Sequence, residues 1–178
     1  MNVLKEEKLD RKSAFSVLVA AMVFSGIFGF IYEILFYRID LGYFVKRGST
    51  FGPWIPIYAW GALFVLLLTY RFRKKPILVF ILNVLITGVT EFLSAFAIEK
   101  IFHKRLWDYN VEIWNFGNIN GYICLRSVLF FSISSLFLIY VVVPMIIKLT
   151  KKYKNFSTIS LCLGLLFLVD MLVYFFTH

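Results

Sequence analysis

Glu33 and Glu91 stand in otherwise apolar surroundings, in the strings GFIYE (29–33) and EFLSAFAIEKIF (91–102), and each needs a chemical reason to be there. A charge at the centre of a bilayer costs about 2.5–3.5 kcal/mol on insertion scales, so both carboxylates should face protein or water rather than lipid. Helical spacing supports this. Ala21, Ser25, Gly29 and Glu33 recur every four residues, and so do Asn83, Thr87, Glu91, Ala95 and Glu99. Each row is a small or polar seam along one helix face, which lets a second helix approach closely. Two seams that each end in a carboxylate point to one shared cavity.

The residues that would complete such a site are Arg47 and Arg126 for positive charge, with Trp107, Asp108, Tyr109 and Asn120 over the opening and Tyr58, at the start of the second helix, as a further binding residue. Three chemistries fit this set. Glu33, Glu91 and Glu99 with the two arginines would bind a charged substrate. A partly desolvated Glu would serve as a general acid or base. Carboxylates alone, from Glu33, Glu91, Glu99 and Asp108, would suit a hard cation, although no fixed ligand spacing demands one. The plain alternative is that the glutamates are buried against arginines and only fix the bundle.

Other chemistries are excluded by what is missing. There is no phosphate-binding GxxxxGK[ST] string. His103 and His178 are the only histidines, and neither HExxH nor CxxC occurs, so neither a zinc site nor any other cofactor is expected.

The elements that position these residues follow from composition. Of 178 residues 61% are hydrophobic and 20% aromatic, and the mean hydropathy is +0.82. A soluble domain of this length cannot hide so much apolar surface. Spanning hydrocarbon takes about 20 apolar residues as a helix. The stretches 14–37, 54–70, 76–98, 122–147 and 156–176 qualify or nearly do. They are continuous rather than alternating, which rules out a membrane barrel. The first is too long for a signal-peptide core and lacks a small-x-small cleavage site, so it reads as a retained helix. The expected fold is an all-α integral membrane protein, a single domain over 1–178 built as a bundle of about five transmembrane helices.

Charge sets the expected orientation. Of nineteen Lys and Arg residues, twelve flank one set of helix ends: Lys5, Lys8, Arg11 and Lys12; Arg71, Arg73, Lys74 and Lys75; Lys148, Lys151, Lys152 and Lys154. Basic short loops stay in the cytoplasm, which predicts a multi-pass plasma-membrane protein with its N-terminus inside and its C-terminus outside. The net charge of +9 is then a topology signal facing anionic lipid heads, and nucleic acid is not an expected partner. Beyond residue 12 all seven acidic residues, Glu33, Asp40, Glu91, Glu99, Asp108, Glu112 and Asp170, fall in the outer half of this arrangement.

Two motif-rich extracytoplasmic loops remain. In the first, Gly48, Gly52, Pro53 and Pro56 make a stiff turn that reads as an interfacial entry to the second helix. The second, residues 99–121, is rich in Asn, Asp and Gly and suits a re-entrant or tightly folded loop.

At these residues the sequence resembles a known group. GFIYE (29–33), KRG (46–48), GPWIPIY (52–58), EFLSAFAIEKIF (91–102), RLWDYN (105–110) and NINGYICL (118–125) occur in the order seen in CmpB-like permeases, the ABC-transporter type IV family of bacteria. The resemblance runs from about residue 26 to about residue 126. It departs at Lys46, Ala59 and Tyr122, where the family commonly has Asn, Gly and Arg. It implies transport, with a separate ATPase or another membrane subunit as partner. The inner loops, about five to eight residues long, leave little surface for an ATPase to grip. The expected function is therefore a transporter or permease with an outward-facing polar substrate cavity. The alternatives are an intramembrane enzyme acting on a lipid or lipid-linked substrate at the outer leaflet, and an assembly factor whose seam binds another membrane helix.

Overall fold

The computed structural model describes residues 9–48 and 50–177; Lys5 and Lys8 of the first basic group, and His178, lie outside them. Helix α1 spans Arg11–Leu41 and α2 spans Pro56–Thr69, closed by a 3₁₀ turn at Tyr70–Phe72. Helix α3 spans Pro76–Phe102. Helix α4 runs over Leu125–Lys152 with a π turn at Leu138–Val142, and α5 spans Phe156–Thr177. The protein is all-α, and α1, α3, α4 and α5 are each long and apolar enough to cross a membrane.

The ends of α1 are set by local chemistry. The Asp10 carboxylate accepts from the amides of Lys12 and Ser13, and Gly42 ends the helix in the left-handed region at φ 80°. Its 31 residues make about 46 Å of helix against about 30 Å of hydrocarbon, so it overruns the expected 14–37 at both ends. Helix α4 starts three residues later than expected. The chain before it is held in turns, with the Gly121 amide on Asn118 Oδ1 at 2.8 Å and the Leu125 amide on the Phe116 carbonyl at 2.8 Å.

Contacts between helices give their directions. Ser16 Oγ donates to Ser157 Oγ at 3.0 Å and Gly164 lies against Val19, so α1 and α5 run parallel. Ser127 reaches Glu91 at 2.9 Å and Thr87 meets Ser132 at 3.3 Å, so α3 and α4 run antiparallel.

Helix α2 differs from the expected full crossing over 54–70. With the closing 3₁₀ turn it covers Pro56–Phe72, an apolar helix shorter than the four long spans. The Ile55 amide, just before α2, donates to the carbonyl of Gly26 at 3.0 Å. Gly26 lies fifteen residues before Leu41, about 22 Å along α1. Residues 42–55 therefore run back beside α1 as non-helical chain for about half its length. The Gly48–Pro56 turn, expected as an interfacial entry to α2, ends beside the middle of α1.

Non-helical backbone at that depth needs partners from protein. Asp170 of α5 accepts from the amides of Phe51 at 3.2 Å and Gly52 at 2.9 Å, and from Trp54 Nε1 at 2.6 Å. Thr50 Oγ1 donates to the Trp54 carbonyl at 2.8 Å. The small-residue seam of α1 serves this approach. The Tyr58 ring fills the space where a Cβ on Gly29 would stand.

The bundle thus has two unlike ends. At one lie the basic turns, above a core of Val17, Ala21, Val65, Leu66, Val79, Leu138, Ile139, Val142 and Ile146. At the other, residues 103–124 fold over the ends of α1, α3 and α4 as a cap.

Candidate functional site

The cap is held by its own polar side chains. Arg105 donates to Glu99 at 2.8 Å and to Asp108 at 3.2 Å. Asp108 Oδ1 accepts from the amide and side chain of Asn110 at 2.9 and 2.7 Å, an Asx turn. The Asn110 amide, with Arg105 close by, holds the Asp108 carboxyl below its ordinary range. Gly121, at φ 78°, brings its backbone against Asp108 where a side chain would collide. Trp107 Nε1 donates to the Tyr122 carbonyl at 3.1 Å. The Ile113 amide donates to Asp40 at 3.0 Å, tying the cap to α1.

Beneath the cap, Glu33 of α1, Glu91 of α3 and Glu112 of the cap itself come together. Glu91 is 2% exposed; it accepts from the Tyr109 hydroxyl and from Ser127 Oγ at 2.9 Å. Burial pushes the Tyr109 hydroxyl well above its ordinary range, and the neighbouring Glu91 adds to this. Glu112, 8% exposed, accepts from the Tyr37 hydroxyl and from Arg126 Nη2 at 2.6 Å. Glu33 accepts from Arg47 Nε at 3.1 Å. Both guanidinium groups also stack on rings, Arg47 over Tyr37 at 3.9 Å and Arg126 over Phe36 at 4.1 Å.

These groups line a cavity of about 40 Å³, room for one or two waters. Arg126 Nε and Nη1 are buried with no hydrogen-bond partner among the described residues, so the cavity offers donors not yet satisfied. Ser127 adds a switchable element. Its one hydroxyl hydrogen lies within reach of Glu91 at 2.9 Å and of the Cys124 carbonyl at 2.8 Å. A charged Glu91 takes that hydrogen; a protonated one would donate to Ser127 and release it to the carbonyl.

A larger groove of about 500 Å³ adjoins the cavity. The 42–55 coil, α2 and α3 all contribute to its lining. Lys46, Arg47 and Gly48 stand at one end, Trp60 and Phe64 of α2 form one wall, and Thr90, Ser94 and Ile98 of α3 form the other. Glu33, Arg47, Ile57 and Trp107 line both spaces.

Of the residues singled out in the sequence, Glu33, Arg47, Tyr58, Glu91, Trp107, Tyr109 and Arg126 line the cavity. Glu99, Asp108 and Asn120 do not. Glu99 shares a four-residue spacing with Glu91, but eight residues at 3.6 per turn rotate it roughly 80° off that face. It pairs instead with Arg105 outside the cavity. Asp108 is engaged within the cap, and Asn120 is an exposed turn residue at φ 53°. The alternative in which Glu91 pairs with an arginine also meets a different partner set. Among the described residues Glu91 forms no ion pair, and Arg126 is held by Glu112.

Sequence reasoning passed over Glu112, Tyr37 and Ser127. Tyr37 was within reach, since it follows Glu33 by one helical turn on the same face. Among the described residues no three of His, Cys, Asp or Glu gather as a metal site.

The profile of the family described as "Putative ABC-transporter type IV" matches residues 20–175. The chain belongs to this family. The match takes in nearly all of the helical bundle, including the 42–55 coil, the cap and Asp170, and so extends well beyond the strings at 29–125. No curated protein and no solved structure matches the chain.

Proposed function

We propose that this membrane protein is a permease-type component that binds a charged substrate among Glu33, Arg47, Glu91, Glu112 and Arg126, beneath the cap and on the outer side of the membrane. The observation that carries the reading is that Arg126, two of whose buried nitrogens have no hydrogen-bond partner among the described residues, lines a cavity with Glu33, Glu91 and Glu112. Family membership supports transport. An ATPase partner would have to grip something other than the short basic turns at Arg73–Lys75 and Tyr153–Asn155, so a further membrane subunit is the partner this reading favours.

The neighbouring groove favours one second reading, an intramembrane enzyme on a lipid-like substrate with Glu91 as acid or base. Metabolite and lipid profiles of cells and medium separate the two, comparing cells with the wild-type protein and with Arg126→Gln. Transport moves one compound between compartments unchanged, whereas an enzyme consumes one compound and produces another. An Arg126→Gln profile equal to wild type, at equal protein level, would remove the cavity from either account.

A further inference from the structure

We infer that the groove between α2 and α3 is a binding site for an anionic phospholipid-type amphiphile, its phosphate at Lys46 and Arg47 and its acyl chain along Trp60 and Phe64. This deepens the reading above by naming the substrate class, and rests on it for the link between groove and cavity.

Charge complementarity identifies the occupant. Glu33 and Arg47 neutralise each other, while Lys46 is exposed and forms no ion pair among the described residues, so the head of the groove carries one net positive charge. A phosphate there gains Coulomb attraction, and Arg47 offers it a planar fork of donors. Away from that end the lining is largely apolar and includes Trp60 and Phe64. The polar features along the way are the hydroxyls of Thr90 and Ser94. Thr90 Oγ1 is committed to the Ile86 carbonyl; Ser94 Oγ has no partner among the described residues and is free for an ester oxygen.

Size and access agree. A volume of about 500 Å³ falls within the roughly 300–1,000 Å³ usual for bound small molecules. The flanking Leu93 and Val89 of α3 are 55% and 56% exposed on a face meant for lipid, and Phe64 is itself 44% exposed. An amphiphile therefore enters sideways from the bilayer without leaving it. The cavity beyond has room for one or two waters, so the amphiphile stays in the groove with its phosphate at the mouth formed by Glu33 and Arg47, which line both spaces.

The test is native mass spectrometry of the full chain in detergent, titrated separately with phosphatidylglycerol and phosphatidylcholine. Three variants are compared with wild type. Lys46→Gln removes the free charge, Ser94→Trp fills the groove, and Leu85→Trp alters the lipid face elsewhere. Wild type should retain phosphatidylglycerol preferentially, and Lys46→Gln should cut that preference about fivefold. Ser94→Trp should lose both lipids, and Leu85→Trp should match wild type. Equal retention of the two lipids by wild type, or adducts that survive Ser94→Trp, would overturn the site. Should Ser94→Trp not accumulate, the exposed Lys46→Gln still decides the headgroup claim. The cell profiles then separate this proposal from the one it rests on. If Ser94→Trp strips the lipid yet leaves the wild-type profile, the amphiphile is not the substrate and the cavity reading stands. If Arg126→Gln also leaves that profile, the cavity reading falls.

Discussion

The basic half of the bundle and the capped half are held together by different physics. Toward the basic turns, Val17, Leu66, Ile139, Val142 and Ile146 interdigitate with almost no polar atoms, and stability there depends on filling volume. Toward the cap, helices of the same chain meet through Glu91, Glu112, Arg126, Tyr37 and Tyr109, and stability depends on each polar group keeping its partner. Asn83, buried with neither side-chain polar atom partnered among the described residues, marks the passage from one regime to the other. A small membrane protein can confine its costly groups to one end because the other end is dense enough to hold the helices.

The largest effect should come from Glu112→Gln, which strands a buried arginine; losing one partner of such a pair costs about 3–5 kcal/mol. The expected result is a sharp fall in melting temperature in detergent, and an unchanged value would erase the contrast between the halves. In the basic half Leu66→Ala should cost about 2–4 kcal/mol through the cavity it leaves, while Leu66→Met, which keeps volume, should cost about 1 kcal/mol or less. Glu91→Gln is the sharper test within the capped half. Its partners are hydroxyls rather than a cation, so stability should change by about 1 kcal/mol or less even as binding or activity falls. A loss as large as that of Glu112→Gln would make Glu91 a structural group.

The smallest effects belong to the exposed rim of the cap. Arg105→Gln removes the contacts to Glu99 and Asp108, and should shift the melting temperature slightly at low salt and not at all in high salt. Asp108 has a carboxyl pKa below its ordinary 3.8 in the folded cap. Its contribution is therefore fully present above about pH 4 and disappears as pH falls through the lowered value. Hydrogen exchange at the Asn110 amide should stay slow down to about pH 4 and speed up, after correction for intrinsic rates, only below it. Loosening at pH 5 to 6 would show that another group controls the cap.

Much of this was legible in the residues, and what was not has identifiable causes. Helices α1, α3, α4 and α5 are long apolar runs, and length plus hydropathy suffice to find them. The string 54–70 is just as apolar, but how deep its helix starts is decided by one amide on Gly26 and one carboxylate at position 170, which no local pattern reports. Glu33 and Glu91 were visible because an acid in an apolar helix is conspicuous. Glu112 was not, because it sits in a polar loop and acquires its partners, Tyr37 and Arg126, only through the fold of the cap.

The grip of Asp170 on the 42–55 coil also fixes an order of events during synthesis. The coil emerges early, and its Phe51, Gly52 and Trp54 donors wait for an acceptor more than a hundred residues downstream. At 5–20 residues per second that is a delay of roughly ten seconds. Until α5 is made, the start of α2 is held to α1 by the Ile55 amide on Gly26, while the Phe51, Gly52 and Trp54 donors lack Asp170. Asp170 of α5 is thus a late clasp on a coil already tied to α1, and it closes over Phe51, Gly52 and Trp54 only after the other described helices exist.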